Sequence, residues 1–173
     1  MGKELPAYSI RIANTPEDIQ RCMQIRKDVF IDEQGYDIRV ETNDDDHRSA
    51  HFLLVLLKTD EAVGTIRLIN ENNQEGEAHS YMAAAALNPQ LGRFAILKQY
   101  RGQGLGVPLI QALHDHVREK GGKEVWCQSQ AADPTQGGVD ATGFYKRLGY
   151  VNKGEKYIKE GTVHQDMVYF IPH

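Results

Sequence analysis

The sequence predicts an α/β protein of the α+β type, in which a mixed sheet carries helices on its faces. Two strand pairs follow each other directly along the chain, residues 51–57 with 63–69 and residues 150–158 with 163–170. Helical patterns separate other strands, so the predicted order is β-α-loop-β-β-β-α-β-α-β-β. This order differs from the regular βαβ alternation of a doubly wound dinucleotide fold.

Length, composition and charge limit the functional classes. A chain of 173 residues fits one domain, residues 1–173, and is long enough to bury a core. The net charge of −4 disfavours a broad nucleic-acid surface, because phosphate backbones need a basic patch. No apolar run approaches the ~18 residues of a membrane helix, and residues 1–6 do not resemble a secretory signal. We therefore expect a cytoplasmic protein that does not bind membranes.

The N-terminal elements are predicted from the alternation of apolar and polar residues and from a helix-capping signal. Residues 9–13 alternate as a first strand. Asn14 or Thr15 can cap a helix that has Pro16 just inside its start. That helix should end near Gly35, and the polar, acidic residues 35–49 are predicted to form a loop.

The central segments are predicted to be strands joined by turns. Residues 51–57 and 63–69 should form a hairpin that turns at Glu61 and Ala62. Residues 70–76 are rich in turn formers, whereas the apolar residues 82–87 fit a short helix or an extended segment equally well.

The C-terminal half contains the strongest local signals. Residues 91–97 alternate as a strand, and apolar residues from Leu105 to Val117 recur at helical spacing until Gly121 and Gly122. Residues 125–128 form the next strand. A loop at 131–138, a short helix at 141–148 ended by Gly149, and the final hairpin complete the chain.

A glycine-rich loop between the strand at 91–97 and the following helix is the clearest functional signal. Its residues are Gln99-Tyr100-Arg101-Gly102-Gln103-Gly104-Leu105-Gly106. Glycines allow a tight turn and a close ligand approach, and the N–H groups of the next helix start favour an anion. Arg101 adds a fixed positive charge. The segment therefore predicts a phosphate or pyrophosphate cradle.

Other phosphate-binding motifs fit this loop less well. The Walker loop requires Gly-Lys-Ser/Thr, which is absent here. The dinucleotide fingerprint requires a third glycine where Val107 stands. A tight strand-to-helix turn without a ligand is the remaining structural interpretation.

The loop, with residues 92–97 before it, resembles the acetyl-CoA motif of the GNAT superfamily of N-acetyltransferases. The family pattern Arg/Gln-x-x-Gly-x-Gly/Ala is satisfied by Arg101, Gly104 and Gly106. Residues 144–150 (Phe-Tyr-Lys-Arg-Leu-Gly-Tyr) resemble a C-terminal Phe-Tyr-x-x-x-Gly-Phe segment of many members. Residues 29–34 (Val-Phe-Ile-Asp-Glu-Gln) resemble a segment of a branch whose substrates are mostly unassigned.

The resemblance implies a mostly antiparallel sheet, splayed where acetyl-CoA binds between strands. The pantetheine arm would pair with the backbone of the strand before the loop, as an added strand does. The loop and helix start would hold the pyrophosphate, and a polar residue after a later strand would also contact the cofactor. The implied cofactor-binding residues are Phe94, Ala95, Ile96, Arg101, Gly102, Gln103, Gly104, Leu105, Gly106, Val107 and Gln130.

The resemblance also implies direct attack of a neutral amine on the thioester. Tyr145 matches the position that protonates the departing thiolate, and its structural alternative is an aromatic residue packed on the sheet. Glu33 is the first candidate for the general base, with a solvated helix-end carboxylate as the alternative. His51 and His79 are weaker candidates, and a main-chain N–H near Ile96 would stabilise the oxyanion.

The sequence allows more than one class of acceptor. Acidic residues from Glu33 to Asp46 would attract a cationic amine, or they form a solvated loop. An anionic acceptor, such as an amino-sugar phosphate, would instead need Arg39, Arg48 or Arg67 in a basic pocket. Small amines are the first acceptor class. A protein or peptide N-terminus, a non-catalytic acyl-CoA-binding module and another nucleotide-phosphate binder are the alternatives.

No metal site is expected, and the cysteines carry no predicted chemistry. Cys22 lies in a helical pattern and Cys127 in a strand pattern, so both are predicted to be buried free thiols. Many GNAT members are dimers, which leaves a homodimer as a further expectation.

Overall fold

The computed structural model describes residues 4–70, 89–135 and 137–173. Within them the chain divides into two compact units. The first contains residues 4–69 and 92–116, and the second contains residues 70, 89–91, 117–135 and 137–173.

The first unit begins with a strand and a long helical segment. Its elements are β1 (Tyr8–Ile12), α1 (Pro16–Arg26), a π-helix (Lys27–Glu33), α2 (Ile38–Glu41), a 3₁₀-helix (Asp44–Arg48), β2 (Ser49–Leu56), β3 (Ala62–Asn70), the end of β4 (Pro89–Ile96), a 3₁₀ turn (Lys98–Tyr100) and the start of α3 (Gly106–Glu119). The Thr15 side chain caps α1 by accepting from the Asp18 N–H at 3.2 Å, as the sequence indicated.

Antiparallel strand pairing and the apolar face of the long helical segment hold this unit together. Strands β1, β2 and β3 pair antiparallel, with Ile10 opposite Leu54 and Phe52 opposite Ile66. The buried core joins the helical segment to the sheet through Ala13, Cys22, Ile25, Val29, Leu53, Val55 and Ala95. Apolar residues at helical spacing on one side and at alternate strand positions on the other explain this packing.

The second unit contains the last three strands. Its elements are β5 (Glu124–Gln130), α4 (Thr142–Arg147), β6 (Val151–Lys159) and β7 (Thr162–Phe170). The beginning of β4 pairs parallel with β5, whereas β5 with β7 and β6 with β7 pair antiparallel. The register of β6 shifts between Lys153 and Tyr157, where the Gln165 amide donates to the carbonyls of Lys153 and Gly154.

In the described residues, seven strands form one mixed and mostly antiparallel sheet flanked by helices, and hydrogen-bonded neighbours follow the order β1-β2-β3-β4-β5-β7-β6. This confirms the predicted fold class. None of the helices in the described residues is long and apolar enough to cross a membrane.

One expectation about local structure is wrong, and another concerns residues outside the described ranges. The segment at 35–49 is not a plain loop, because Asp37 caps α2 and Asn43 forms a capping box with Asp46. Residues 71–76 and 82–87, for which a turn and an apolar segment were expected, lie outside the described residues.

Candidate active site

The glycine loop adopts the conformation that its sequence predicts. Gly102 and Gly104 have φ angles of +72° and +86°, which residues with a Cβ rarely adopt. Among the described residues, a Cβ at Gly102 would meet nothing within 4 Å, and one at Gly104 would meet the Leu5 side chain at 3.5 Å. Helix α3 begins at Gly106, and Pro108 in its first turn has no N–H to donate. An open backbone at a helix start, where the first N–H groups have no partner within the helix, fits a pyrophosphate.

Arg101 reaches from the loop to two other parts of the first unit. Its Nε–H donates to the Ile96 carbonyl at 2.8 Å, at the end of β4. Its two terminal nitrogens donate to the Glu33 carboxylate at 2.5 and 2.7 Å. Arg101 thus joins the predicted phosphate loop, the predicted cofactor strand and the predicted base.

The ion pair changes the chemistry expected of Glu33. The hydrogen bonds from Arg101 lower the pKa of Glu33 below its ordinary value. The carboxylate is therefore ionised at neutral pH, as a proton acceptor must be, but it is a weaker base while Arg101 binds it. Both side chains are about one third exposed, at 37% for Arg101 and 30% for Glu33, so ligands can reach the pair.

The predicted cofactor strand, β4, has a backbone irregularity that its sequence pattern does not predict. Arg93 has a φ of +47°, in the left-handed region that a residue with a side chain seldom enters. The regular alternation expected for residues 91–97 is therefore broken immediately before Phe94. Ala95 and Ile96 are buried, whereas Phe94 is half-buried.

A buried arginine cluster consists of Arg26, Glu41, Asp46, Arg67 and Arg93. The Arg26 guanidinium donates to Glu41 Oε1 at 2.5 Å and to Asp46 Oδ1 at 2.7 Å, and Arg67 donates to the same Asp46 oxygen at 2.7 Å. Burial opposes ionisation of Asp46, but the hydrogen bonds from Arg26 and Arg67 outweigh it and lower the pKa of Asp46 to about 2. Residues 26 and 67 are nearly fully buried.

The acidic segment is therefore largely neutralised within the protein. Glu41 and Asp46 belong to the arginine cluster, Asp45 pairs with Arg48, and Glu33 pairs with Arg101. These carboxylates do not form the free acidic surface that would steer a cationic amine. Of the arginines considered for an anionic acceptor, Arg39 is exposed and paired with Asp37, Arg48 is paired with Asp45, and Arg67 lies in the cluster.

His51 is a buried histidine at the edge of the arginine cluster. Its Nε2 lies 3.1 Å from the Asp46 carbonyl, which can only accept, so Nε2 carries the proton. Burial lowers the pKa of His51, which keeps the ring neutral. The other proposed histidine, His79, lies outside the described residues.

The remaining predicted residues lie in the second unit. Tyr145 is buried on α4, in edge contact with Phe144 and Tyr150, and burial raises the pKa of Tyr145 well above its ordinary value. The phenol is therefore protonated near neutral pH, but the raised pKa also makes it a weaker acid than an exposed tyrosine. Gln130 ends β5, and its carbonyl accepts the Ala141 N–H at 2.9 Å, so the strand end is tied to the start of α4.

Both cysteines are buried free thiols, as predicted. Burial raises the pKa of Cys127 to about 12, which removes it as a nucleophile near neutral pH. Within the described residues, no group of three or more His, Cys, Asp and Glu side chains is arranged to hold a metal ion.

The sequence did contain a signal for the arginine cluster. Arg26 follows Ile25 and lies one helical turn from Cys22 and Val29, so a charged residue occupies the apolar face of α1. A charge on such a face requires a buried partner of opposite sign. The partner could not be identified from the sequence, because Glu41 and Asp46 lie far along the chain.

Comparison with known proteins supports the interpretation of the fold. Residues 27–170 match the family model described as the acetyltransferase (GNAT) domain. A Bacillus subtilis protein named as an acetyltransferase is 28% identical over 160 residues, covering 90% of this chain and 92% of its own length.

Solved structures show the same fold. A Lactobacillus plantarum protein named as an N-acetyltransferase superimposes with a TM-score of 0.76 at 22% identity, covering 96% of this chain and 99% of that one. An aminoglycoside 6'-N-acetyltransferase complexed with coenzyme A has a TM-score of 0.65 at 16% identity, covering 96% and 97% of the two chains. At these identities the likeness concerns the fold alone.

Proposed function

Because this chain belongs to the GNAT acetyltransferase family and is therefore an acyltransferase, we propose that it transfers the acetyl group of acetyl-CoA to a primary amine of a small molecule. The observation that carries the proposal is the glycine loop. Its two left-handed glycines, the start of α3 and the Arg101 guanidinium fit a pyrophosphate. The coenzyme A bound to the aminoglycoside acetyltransferase, a protein of the same fold, is consistent with this assignment.

We assign the cofactor contacts to the first unit. The main chain of residues 94–96 would lie along the pantetheine arm, and residues 101–107 would hold the pyrophosphate. Gln130 would add a polar contact to the cofactor. Arg101 has a second role in this scheme, because its bond to the Ile96 carbonyl stabilises the end of the cofactor strand.

The proposed reaction is direct transfer. The amine nitrogen forms a bond to the acetyl carbon, the carbon–sulfur bond breaks, and the amine gives up one proton. Glu33 accepts that proton, directly or through water, once its carboxylate no longer shares both oxygens with Arg101. Tyr145 donates its phenol proton to the departing thiolate, and a main-chain N–H near Ile96 stabilises the developing oxyanion.

We also propose that residues 1–173 act as one acetyltransferase domain. The family match at 27–170 includes parts of both compact units, so neither unit alone contains the whole motif set.

Thermal unfolding with acetyl-CoA, CoA, NAD and ATP in parallel tests the cofactor assignment. A ligand at 100 times its dissociation constant stabilises the protein by about 2.7 kcal/mol, which gives a readily measured shift. A shift confined to CoA ligands supports the proposal, whereas a larger shift with NAD or ATP refutes it.

Release of CoA in the presence of small amines and of peptides then tests the acceptor class. Faster turnover of small amines supports the proposal. Faster turnover of peptides would instead assign a protein N-acetyltransferase. CoA binding without turnover of any acceptor would indicate a non-catalytic module.

A further inference from the structure

The chain enters the glycine loop from a point that is held against β3. Just past the end of β4, the Leu97 N–H donates to the Val63 carbonyl at 2.9 Å. The two strands also approach closely at Gly64, where a Cβ would lie 2.7 Å from the Ile96 side chain. The residues that lead into the loop are therefore fixed to the sheet of the first unit.

Tyr100 makes a second connection, one residue before Arg101. Its hydroxyl donates to Glu61 Oε2, in the turn between β2 and β3. This hydrogen bond raises the pKa of Tyr100, so the phenol remains a donor at neutral pH. The Tyr100 N–H donates to the Leu97 carbonyl at 2.9 Å, which closes the 3₁₀ turn. Both the backbone and the side chain of Tyr100 are thus held.

The turn that carries Glu61 is itself held on both sides. Asp60 has a left-handed φ of +55°, which residues with a Cβ seldom adopt. The Asp60 N–H donates to the Leu56 carbonyl at 2.9 Å, and Arg21 of α1 donates to the Asp60 carbonyl at 2.5 Å. The Glu61 carbonyl accepts the Leu56 N–H at 2.9 Å. Glu61 therefore extends towards Tyr100 from a turn whose backbone is fixed.

The glycines that follow Arg101 need such support. A glycine loses more conformational freedom on ordering than any other residue, so a glycine loop that closes around a ligand carries a high entropic cost. A fixed entry reduces the number of conformations that Gly102 and Gly104 must lose. It also limits the positions of the Arg101 backbone, from which the guanidinium reaches the Ile96 carbonyl at 2.8 Å.

We propose that Tyr100 and Glu61 are positioning residues for the cofactor. Their hydrogen bond holds Arg101 and the start of the glycine loop in the geometry that binds the pyrophosphate, and neither side chain takes part in the chemical step. This inference rests on the proposed use of acetyl-CoA. It predicts that breaking the bond weakens CoA binding and leaves the rate at saturating acetyl-CoA unchanged.

Four single variants and one double variant separate this role from charge and from general stability. Tyr100→Phe removes the donor and Glu61→Ala removes the acceptor. Glu61→Gln removes the same charge as Glu61→Ala but keeps an oxygen that can accept from the phenol. Tyr157→Phe is the matched control, because the Tyr157 hydroxyl also donates to a carboxylate, that of Asp166, at 2.6 Å in the second unit.

Calorimetric titration with CoA gives the first readout. Tyr100→Phe and Glu61→Ala should each raise the dissociation constant at least about threefold, as expected for the loss of one partly exposed hydrogen bond. The double variant should be no weaker than either single variant, since all three lose the same bond. Glu61→Gln and Tyr157→Phe should stay within about twofold of the wild type. In the transfer assay, Tyr100→Phe should raise the KM for acetyl-CoA and leave kcat unchanged.

Hydrogen exchange of the backbone amides at 99–106, measured without CoA, gives a second readout. Exchange should be faster in Tyr100→Phe than in the wild type and in Tyr157→Phe. The proposal is overturned if Tyr100→Phe binds CoA as tightly as Tyr157→Phe does, or if Glu61→Gln loses as much affinity as Glu61→Ala. If the wild type does not bind CoA, the proposed function fails, and loop exchange in Tyr100→Phe then decides the positioning role by itself.

Discussion

The ion pair between Glu33 and Arg101 yields a prediction in which one substitution has two opposite effects. The carboxylate partly neutralises the guanidinium assigned to the pyrophosphate, through bonds of 2.5 and 2.7 Å. Glu33→Gln keeps the size of the side chain and removes its charge. We expect CoA to bind more tightly to this variant, because Arg101 presents its full charge, and turnover to fall, because the base is lost.

The size of the affinity change follows from the exposure of the pair. Exposed ion pairs contribute about 0.2–1 kcal/mol, and a bidentate pair that is 37% and 30% exposed belongs near the upper end. A change of ~1 kcal/mol corresponds to about a fivefold decrease in the dissociation constant of CoA. The gain should shrink at high salt, where exposed charges are screened.

Calorimetric titration with CoA at low and high salt measures this effect. Asp32→Asn is the matched control, because it removes a neighbouring carboxylate that pairs with Lys27 rather than with Arg101. If Glu33→Gln binds CoA no more tightly than Asp32→Asn does, Glu33 does not compete with the pyrophosphate for Arg101. An unchanged kcat would separately remove Glu33 from the role of base.

Four further results are expected. Tyr145→Phe should slow turnover and leave the CoA dissociation constant nearly unchanged; an unchanged rate would remove Tyr145 from the acid role. Gly104→Val should weaken CoA binding and also lower stability by ~1–2 kcal/mol, because the φ of +86° disfavours a branched side chain; unchanged CoA affinity would contradict the cradle. Asp46→Asn should cost roughly 3 kcal/mol in urea unfolding at pH 7. Because the folded-state pKa of Asp46 is lowered to about 2, its contribution should be complete above the unfolded pKa of about 4 and disappear as the pH falls towards 2, which acid titration of the variant and wild type can check. Cys127 should resist thiol reagents at pH 8 until the protein unfolds, since burial raises its pKa to about 12; rapid labelling of the native protein would contradict this.

Much of the fold was predictable because it depends on local patterns. Thr15 and Pro16 begin α1 where capping rules place the start, and each predicted strand in the described residues appears within two residues of its expected ends. The main local errors concern residues 35–49, whose Asx caps form short helices, and Arg93, whose left-handed backbone interrupts an apparently regular strand.

The glycine loop and the Tyr145 motif were recognisable in the sequence by themselves, because their residues are contiguous and a glycine at φ above zero needs no distant partner. The ionisation and ion pairing of the side chains depended on the tertiary structure. Glu33 and Arg101 are 68 positions apart, and Arg26 finds Glu41 and Asp46 at separations of 15 and 20. Such pairings arise only when packed elements bring distant residues together, because burial then forces each charge to find a partner. The sequence therefore predicted which residues bind a pyrophosphate, and folding decided which carboxylates are ionised and paired.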